Sequence, residues 1–221
     1  MSEETDPAVA VGELLTERGE TLAVAESLTG GLVGSRVTDV PGASAYFDRG
    51  YVTYAYDAKR ELLGVSRETL DDHGAVAGPT AREMAERARD HADTTWGLST
   101  TGVAGPGGGT DEKPVGLVYI GVAYAAPWDT GGSFSRSVRA ELSGDRDAIK
   151  GASAERALDE LVRTIREVED ADRNVDGEGH SDSNENRDGN ENRGSNENRD
   201  GNENRDGNEN RGSNENRGSG S

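Results

Sequence analysis

The chain has 221 residues, no cysteine and a net charge of −19. Without Cys, disulfide scaffolds, Cys-based zinc sites and Cys-nucleophile amidases are excluded, and three scattered His residues (His73, His91, His180) are too few for a His-built metal centre. So acidic a surface repels phosphodiester backbones, and no apolar run approaches 18 residues, so neither a nucleic acid nor a membrane is an expected partner.

Composition changes sharply near Asn174. Residues 1–173 carry 31 Asp+Glu against 18 Lys+Arg, a net of −13, while 174–221 carry 12 against 6 and almost no apolar side chain. About 165 residues is comfortable for one domain and short for two. The first ten residues, MSEETDPAVA, lack the basic and apolar regions of a signal peptide, so a cytoplasmic setting is expected. Only three of the 24 basic residues are Lys. Acidic, Lys-poor and Cys-free composition reads as adaptation to high salt, where surface charge is screened.

Val9, Val11, Leu14 and Leu15 recur at helical spacing between Pro7 and Arg18, with Thr5 and Asp6 as cap candidates and Gly19 as the stop. TLAVAES (21–27) is a buried strand that runs into the turn Thr29-Gly30-Gly31 and then a helix at Leu32, Val33 and Val37. Strand, glycine turn and helix is how α/β folds build a site at a strand's carboxyl end. Pro41-Gly42 breaks the chain, and the aromatic alternation from Ala45 to Tyr56 predicts a strand. DAKRELLGV predicts a helix capped by Asp57, and SRETLDDHG another with Ser66 and Thr69 near its start. Residues 78–92 form an amphipathic helix with Arg and Glu on its wet face. Residues 94–105 read as a strand into a glycine loop. Residues 114–125 and 133–142 read as an antiparallel pair, and Asp145 caps a last helix to about residue 171. The expected fold is three-layer α/β/α with a mixed sheet. From residue 184 NENR recurs every six residues with nothing apolar to offset ordering entropy, so 174–221 is expected to be a disordered tail.

Four stretches carry candidate chemistry: Glu26–Gly31, Ser44–Lys59, Thr101–Gly109 and Ser143–Asp147. The loop Thr101–Gly109 is dense in glycine after an apolar strand, which lets N–H groups face an anion, although a flexible connector has the same composition. Lys59 survives in a chain that replaces nearly every Lys by Arg, which suggests a role needing a neutral amine; an exposed helix-start Lys is the plain alternative. Lys113 and Lys150 read as solvated, and His73 as a helix-end residue. Ser27 and Ser44 each sit where a strand meets a turn, a common place for a cap. Glu26 is either buried and paired or a cap.

Taken together, AESLTGG, GASAYFDRGYVTYAYDAK, LLGV, HGAV, TGVAGPGGGTDEKPVG and SGDRDAIK resemble the C-terminal domain of the competence/damage-inducible protein CinA, across about residues 7–168. The resemblance does not extend to the molybdopterin-binding-like N-terminal domain of the family's longer members. The segment 127–133 is longer than the family's usual hairpin, and the tail has no counterpart. The family includes stand-alone nicotinamide-nucleotide amidases. The resemblance therefore implies hydrolysis of the carboxamide of nicotinamide mononucleotide to nicotinate mononucleotide and ammonia, in pyridine nucleotide salvage, with no metal or organic cofactor. It implies site residues Ser27, Ser44, Tyr54, Lys59, Thr101 and Arg146. A Ser needs an adjacent base, and a desolvated neutral Lys can serve. Ser44 is read as the nucleophile, with Ser27 and Thr101 orienting Lys59 or the amide. The Tyr54 phenol is read as relaying a proton or orienting the amine. Thr29, Gly30, Gly31, Gly102 and Gly105 are read as substrate-binding turns whose N–H groups face an oxyanion or phosphate, with Arg146 as phosphate clamp. A homodimer is the expected assembly. Two other readings stand beside this one: a non-catalytic mononucleotide-binding or competence/damage-related accessory module, and an interaction protein that works through its tail.

Charge generates one prediction directly. The −13 of residues 1–173 repels itself when unscreened, so the melting temperature should fall as salt drops from molar to millimolar. An unchanged melting temperature across that range contradicts it.

Overall fold

The computed structural model describes residues 5–178, with side chains through Arg173. Twelve residues, Pro7–Arg18, form α1; the Asp6 carboxylate accepts the Ala8 N–H at 2.8 Å, and Gly19 ends the helix at φ +64°. Then follow β1 (Leu22–Glu26), α2 (Leu32–Thr38), a 3-10 turn (Ala43–Ala45), β2 (Phe47–Val52), α3 (Tyr56–Leu63), α4 (Arg67–His73) and α5 (Gly78–Ala92). The chain finishes with β3 (Trp96–Gly102), β4 (Leu117–Tyr124), β5 (Phe134–Glu141) and α6 (Arg146–Glu178). Ser66 caps α4 through the Thr69 N–H, and Asp145 caps α6 through the Ala148 N–H. His73 is the last residue of α4, as expected.

Three expectations need correction. The strand expected over 45–56 contracts to Phe47–Val52, because Gly42 at φ +91° starts a 3-10 turn and Tyr46 buries its ring against Gly12. Asp57 is not the cap of α3: the helix begins at Tyr56, and Asp57 lies in its first turn, where a carboxylate still suits the helix dipole. The last helix runs on to Glu178 and so takes in 174–178, which composition assigned to the tail. The rest of the expected disordered tail, 179–221, lies outside the described residues.

The five strands lie in the order β2-β1-β3-β4-β5. β1 pairs parallel with β2 and β3, while β4 runs antiparallel to both β3 and β5, so the sheet is mixed. α1, α2 and α6 cover one face, and α3, α4 and α5 the other. The larger core lies on the first face, where Val11, Leu15, Leu22, Leu98, Ile120, Leu158 and Ile165 are fully buried. At its lower end Trp96 stacks on Tyr124, with ring centroids 4.5 Å apart, and donates its indole N–H to Glu20 at 2.7 Å. From β1 the chain passes to β2 over one face; it then crosses back over the other to reach β3, on β1's opposite side. Such a reversal opens a crevice at the carboxyl ends of the strands. Among the described residues no helix is long and apolar enough to cross a membrane.

On the second face, α5 approaches the sheet closely because two strand positions lack a Cβ. A Cβ on Gly97 would sit 2.0 Å from the Ala85 carbonyl oxygen, and one on Gly121 2.2 Å from that of Ala81. Either Gly97→Ala or Gly121→Ala should lower unfolding free energy by about 2 kcal/mol or more, since backbone must move. Gly151→Ala, in α6 with nothing within 4 Å of the new Cβ, should instead leave stability unchanged or raise it by up to about 1 kcal/mol. Urea denaturation of the three variants checks the contrast.

Candidate active site

Ser27 follows β1, Thr53 follows β2 and the glycine loop follows β3, so all three meet at the carboxyl ends of the parallel strands. The turn between β1 and α2 is pinned from below. Glu26, the last residue of β1, is buried, and its carboxylate accepts the N–H groups of Gly31 at 2.8 Å, Val33 at 3.1 Å and Gly34 at 2.8 Å. It replaces the cap that Gly31, having no side chain, cannot supply. Glu26 is therefore both buried and a cap. The Gly31 N–H is already bonded, which removes it from the expected oxyanion donors. Thr29 and Thr100, both buried, share a 2.7 Å hydroxyl–hydroxyl bond.

Lys59 lies in α3 and has no exposed surface. Its amine bonds the Ser27 hydroxyl oxygen at 2.9 Å, donates to the Thr53 carbonyl at 2.7 Å and faces that of Tyr54 at 3.5 Å. Burial pushes the amine down from 10.5 to about 8, because the site offers it no water to solvate the charge. Two carbonyls suit the two N–H bonds of a neutral amine and leave its lone pair for the Ser27 O–H. Lys59 and Thr53 are fully buried, whereas Ser27 is 8% exposed. The Thr53 hydroxyl beside it is buried and has no hydrogen-bond partner among the described residues.

The structure does not bring Ser44, the expected nucleophile, into this arrangement. Ser44 is exposed in the 3-10 turn ahead of β2, on a crevice with Thr38, Pro41 and Phe47. β2 is parallel to β1. A residue preceding it therefore lies at the end opposite Ser27, roughly 20 Å away at about 3.3 Å per strand residue. The Tyr54 phenol does not orient the amine either. Tyr54 turns its carbonyl toward Lys59 and its ring outward, where the hydroxyl accepts from Arg146 at 3.2 Å. Thr101 is buried and donates its hydroxyl to the Ala75 carbonyl at 2.6 Å, so it does not orient Lys59.

Arg146 opens α6 and bridges the mouth of the site, donating to the Gly105 carbonyl as well as to Tyr54. Gly105 takes φ +74°, and a Cβ there would meet the Val115 side chain at 2.6 Å. Gly102 ends β3 under the Leu117 carbonyl, 2.4 Å from where its Cβ would be, so its smallness serves packing. Gly30, exposed at φ +64°, completes the turn. Among the described residues the N–H groups of Leu28, Thr29, Ala104, Gly105, Gly107, Gly108 and Gly109 donate to no partner. Lys113 is half-buried, and its amine, in an exposed bond, ties the glycine loop to the His73 carbonyl at 2.9 Å. The residues that sequence reasoning missed are Thr53 and Thr100; the first acts through its carbonyl, which no residue type signals, and the second was one more threonine in a strand.

Comparison with known proteins follows the same lines. The family model "CinA C-terminal domain" matches residues 4–165. The CinA-like protein of Geobacter sulfurreducens is 49% identical over 156 residues, which is 71% of this chain and 36% of that protein. That of Synechococcus elongatus is 48% identical over 158 residues, 72% of this chain and 36% of that one. The chain thus spans little more than a third of the length of these curated relatives. Among solved structures, the competence/damage inducible protein CihA of Agrobacterium tumefaciens superposes with TM-score 0.65 at 36% identity, covering 75% of this chain and 99% of that one. The competence damage-inducible protein A of Klebsiella pneumoniae gives TM-score 0.67 at 29% identity, covering 72% and 95%.

The lowered Lys59 value has a consequence for stability. The unfolded amine holds its proton up to about 10.5 and the folded one up to about 8. Below pH 8 both states hold it, and the burial cost is constant. Between pH 8 and 10.5 only the unfolded state holds it, so stability from this group rises with pH, by at most about 1.4 kcal/mol per unit. The stability of the wild type relative to Lys59→Met should therefore improve between pH 8 and 10 in urea titrations. A flat difference contradicts the assignment.

Proposed function

The chain belongs to the CinA C-terminal domain family, and from that membership and the buried Ser27–Lys59 pair we propose that it is a nicotinamide-nucleotide amidohydrolase. It converts nicotinamide mononucleotide to nicotinate mononucleotide and ammonia. The observation that carries this reading is the 2.9 Å contact between a nearly buried serine hydroxyl and a fully buried amine with a depressed pKa.

Ser27 Oγ attacks the carboxamide carbon while its proton passes to the Lys59 lone pair. The oxyanion is held by the N–H groups of Leu28 and Thr29, the unspent donors next to the nucleophile. Lys59, now an ammonium steadied by the Thr53 and Tyr54 carbonyls, returns the proton to the amide nitrogen. The C–N bond breaks, ammonia leaves, and an acyl ester on Ser27 remains. Water then attacks the ester with Lys59 again as base, releasing the carboxylate and restoring Ser27. The substrate phosphate is taken by the open glycine-loop N–H groups and by Arg146.

Ammonia release from nicotinamide mononucleotide tests this. Ser27→Ala and Lys59→Arg should each cost roughly 10³-fold or more in kcat, and the double variant should be little worse, because the pair acts as a unit. Arg keeps charge but cannot become a neutral base. Ser44→Ala should stay within about twofold of wild type, as expected of an exposed residue outside the site. Wild type that binds the nucleotide without releasing ammonia contradicts the enzyme reading and favours an accessory module.

A further inference from the structure

Three parallel strands reach the site side by side, and each carries a hydroxyl residue at the same level. Glu26 of β1 pairs with Val52 of β2 on one side and with Thr100 of β3 on the other. The ladder runs one residue further on both sides. Thr53 donates its N–H to the Glu26 carbonyl at 2.8 Å, and Ser27 donates to that of Thr100 at 2.9 Å. Thr53, Ser27 and Thr101 therefore stand abreast, each about 4.8 Å from the next. Side chains alternate between faces along a strand. Glu26 turns toward α2, and the Val52 side chain lies 3.7 Å from where a Cβ on Gly31 would be. The next residue of each strand thus turns to the opposite face, where α3 brings Lys59.

Two of the three hydroxyls are already bonded. That of Thr101 donates to the Ala75 carbonyl at 2.6 Å, and that of Ser27 meets the Lys59 amine at 2.9 Å. The Thr53 hydroxyl is buried and bonds to none of the described residues. Burying a hydroxyl without a partner is costly, and Val would fill the same space without that cost. Acylation changes what surrounds it. In the resting site the Lys59 lone pair takes the Ser27 O–H. Once Ser27 carries the acyl group that O–H is gone. Two acceptors then stand unspent beside the ester, the Lys59 lone pair and the Thr53 hydroxyl oxygen. The bond from Lys59 to the carbonyl of Thr53 itself, at 2.7 Å, keeps the two together. One water molecule has two O–H bonds to give them, and a lone pair left for the ester carbon.

We propose that the Thr53 hydroxyl holds the water that hydrolyses the ester on Ser27, a role that rests on the amidase reading above. The water oxygen forms the new bond to the acyl carbon while one of its protons passes to the Lys59 lone pair. The bond from the acyl carbon to Ser27 Oγ breaks, and Lys59 returns that proton to the serine. The second proton, donated to Thr53 Oγ1 throughout, leaves with the acid and is lost to solvent as the carboxylate forms. Thr53 takes no proton itself; it fixes which way the water faces. Acylation consumes no water, so that half of the reaction does not need the hydroxyl.

Rapid-quench measurement of ammonia from nicotinamide mononucleotide separates the two halves, because ammonia leaves on acylation. Thr53→Val keeps the shape and the carbonyl that holds Lys59 but lacks the acceptor. It should release about one equivalent of ammonia per site at close to the wild-type rate, then turn over roughly 10²-fold more slowly. Mass spectrometry of the quenched variant should find the acyl group accumulated on the Ser27 peptide. Thr53→Ser, which restores the acceptor, should recover most of the turnover. Thr53→Val should also melt no lower than wild type, because the hydroxyl it removes is unpartnered. If it does not fold, Thr53→Ala carries the same test. A valine variant at the wild-type steady rate, one whose burst and steady rate fall together, or one without accumulated acyl group overturns this assignment and leaves the amidase reading standing. Wild type that releases no ammonia overturns both.

Discussion

Lys59 is an amine with no exposed surface and no carboxylate among its bonding partners; a serine hydroxyl and two backbone carbonyls meet it instead. A paired carboxylate would hold the proton in place, whereas neutral oxygens leave burial to lower the amine's affinity for it. Much of the surrounding structure serves to keep this arrangement. The carbonyls come from the segment that leaves β2, whose Thr53 N–H is anchored on the Glu26 carbonyl at 2.8 Å. The serine comes from the end of β1, where its own N–H is anchored on the Thr100 carbonyl at 2.9 Å. Two parallel strand pairings therefore set the distance from amine to hydroxyl.

Glu26 gives that geometry its rigidity. Three N–H bonds to one buried carboxylate fix the turn that displays Ser27, and the α2 N-terminus is occupied before any substrate arrives. On the proposed reading, anion recognition therefore falls to the glycine loop and Arg146 rather than to the α2 N-terminus.

Much of this was legible in residue order. The amphipathic period of 78–92 matches α5 residue for residue, and Asp6, Ser66 and Asp145 cap the helices their positions suggested. The rarity of lysine pointed to Lys59. The choice between the serines was not legible from their types, since both sit at strand–turn junctions. Order along the chain separates them: Ser27 follows its strand and Ser44 precedes one. In a parallel pair those are opposite ends, and α/β sites gather at the carboxyl end. The outward turn of the Tyr54 ring depended on β2 stopping at Val52, a boundary that the aromatic alternation up to Tyr56 concealed. The Thr53 and Tyr54 carbonyls had no sequence signal because every residue carries one.

The central claim is that Ser27, made nucleophilic by the Lys59 amine, takes the acyl group. Acid-quenched mass spectrometry of the full chain mixed with nicotinamide mononucleotide tests it most directly, because the bond is observed rather than inferred from lost activity. The account predicts a transient adduct, one nicotinate-mononucleotide acyl group in mass, on the peptide that carries Ser27 and absent from Lys59→Arg. An adduct on the Ser44 peptide, or ammonia release at full rate from Ser27→Ala, would contradict it.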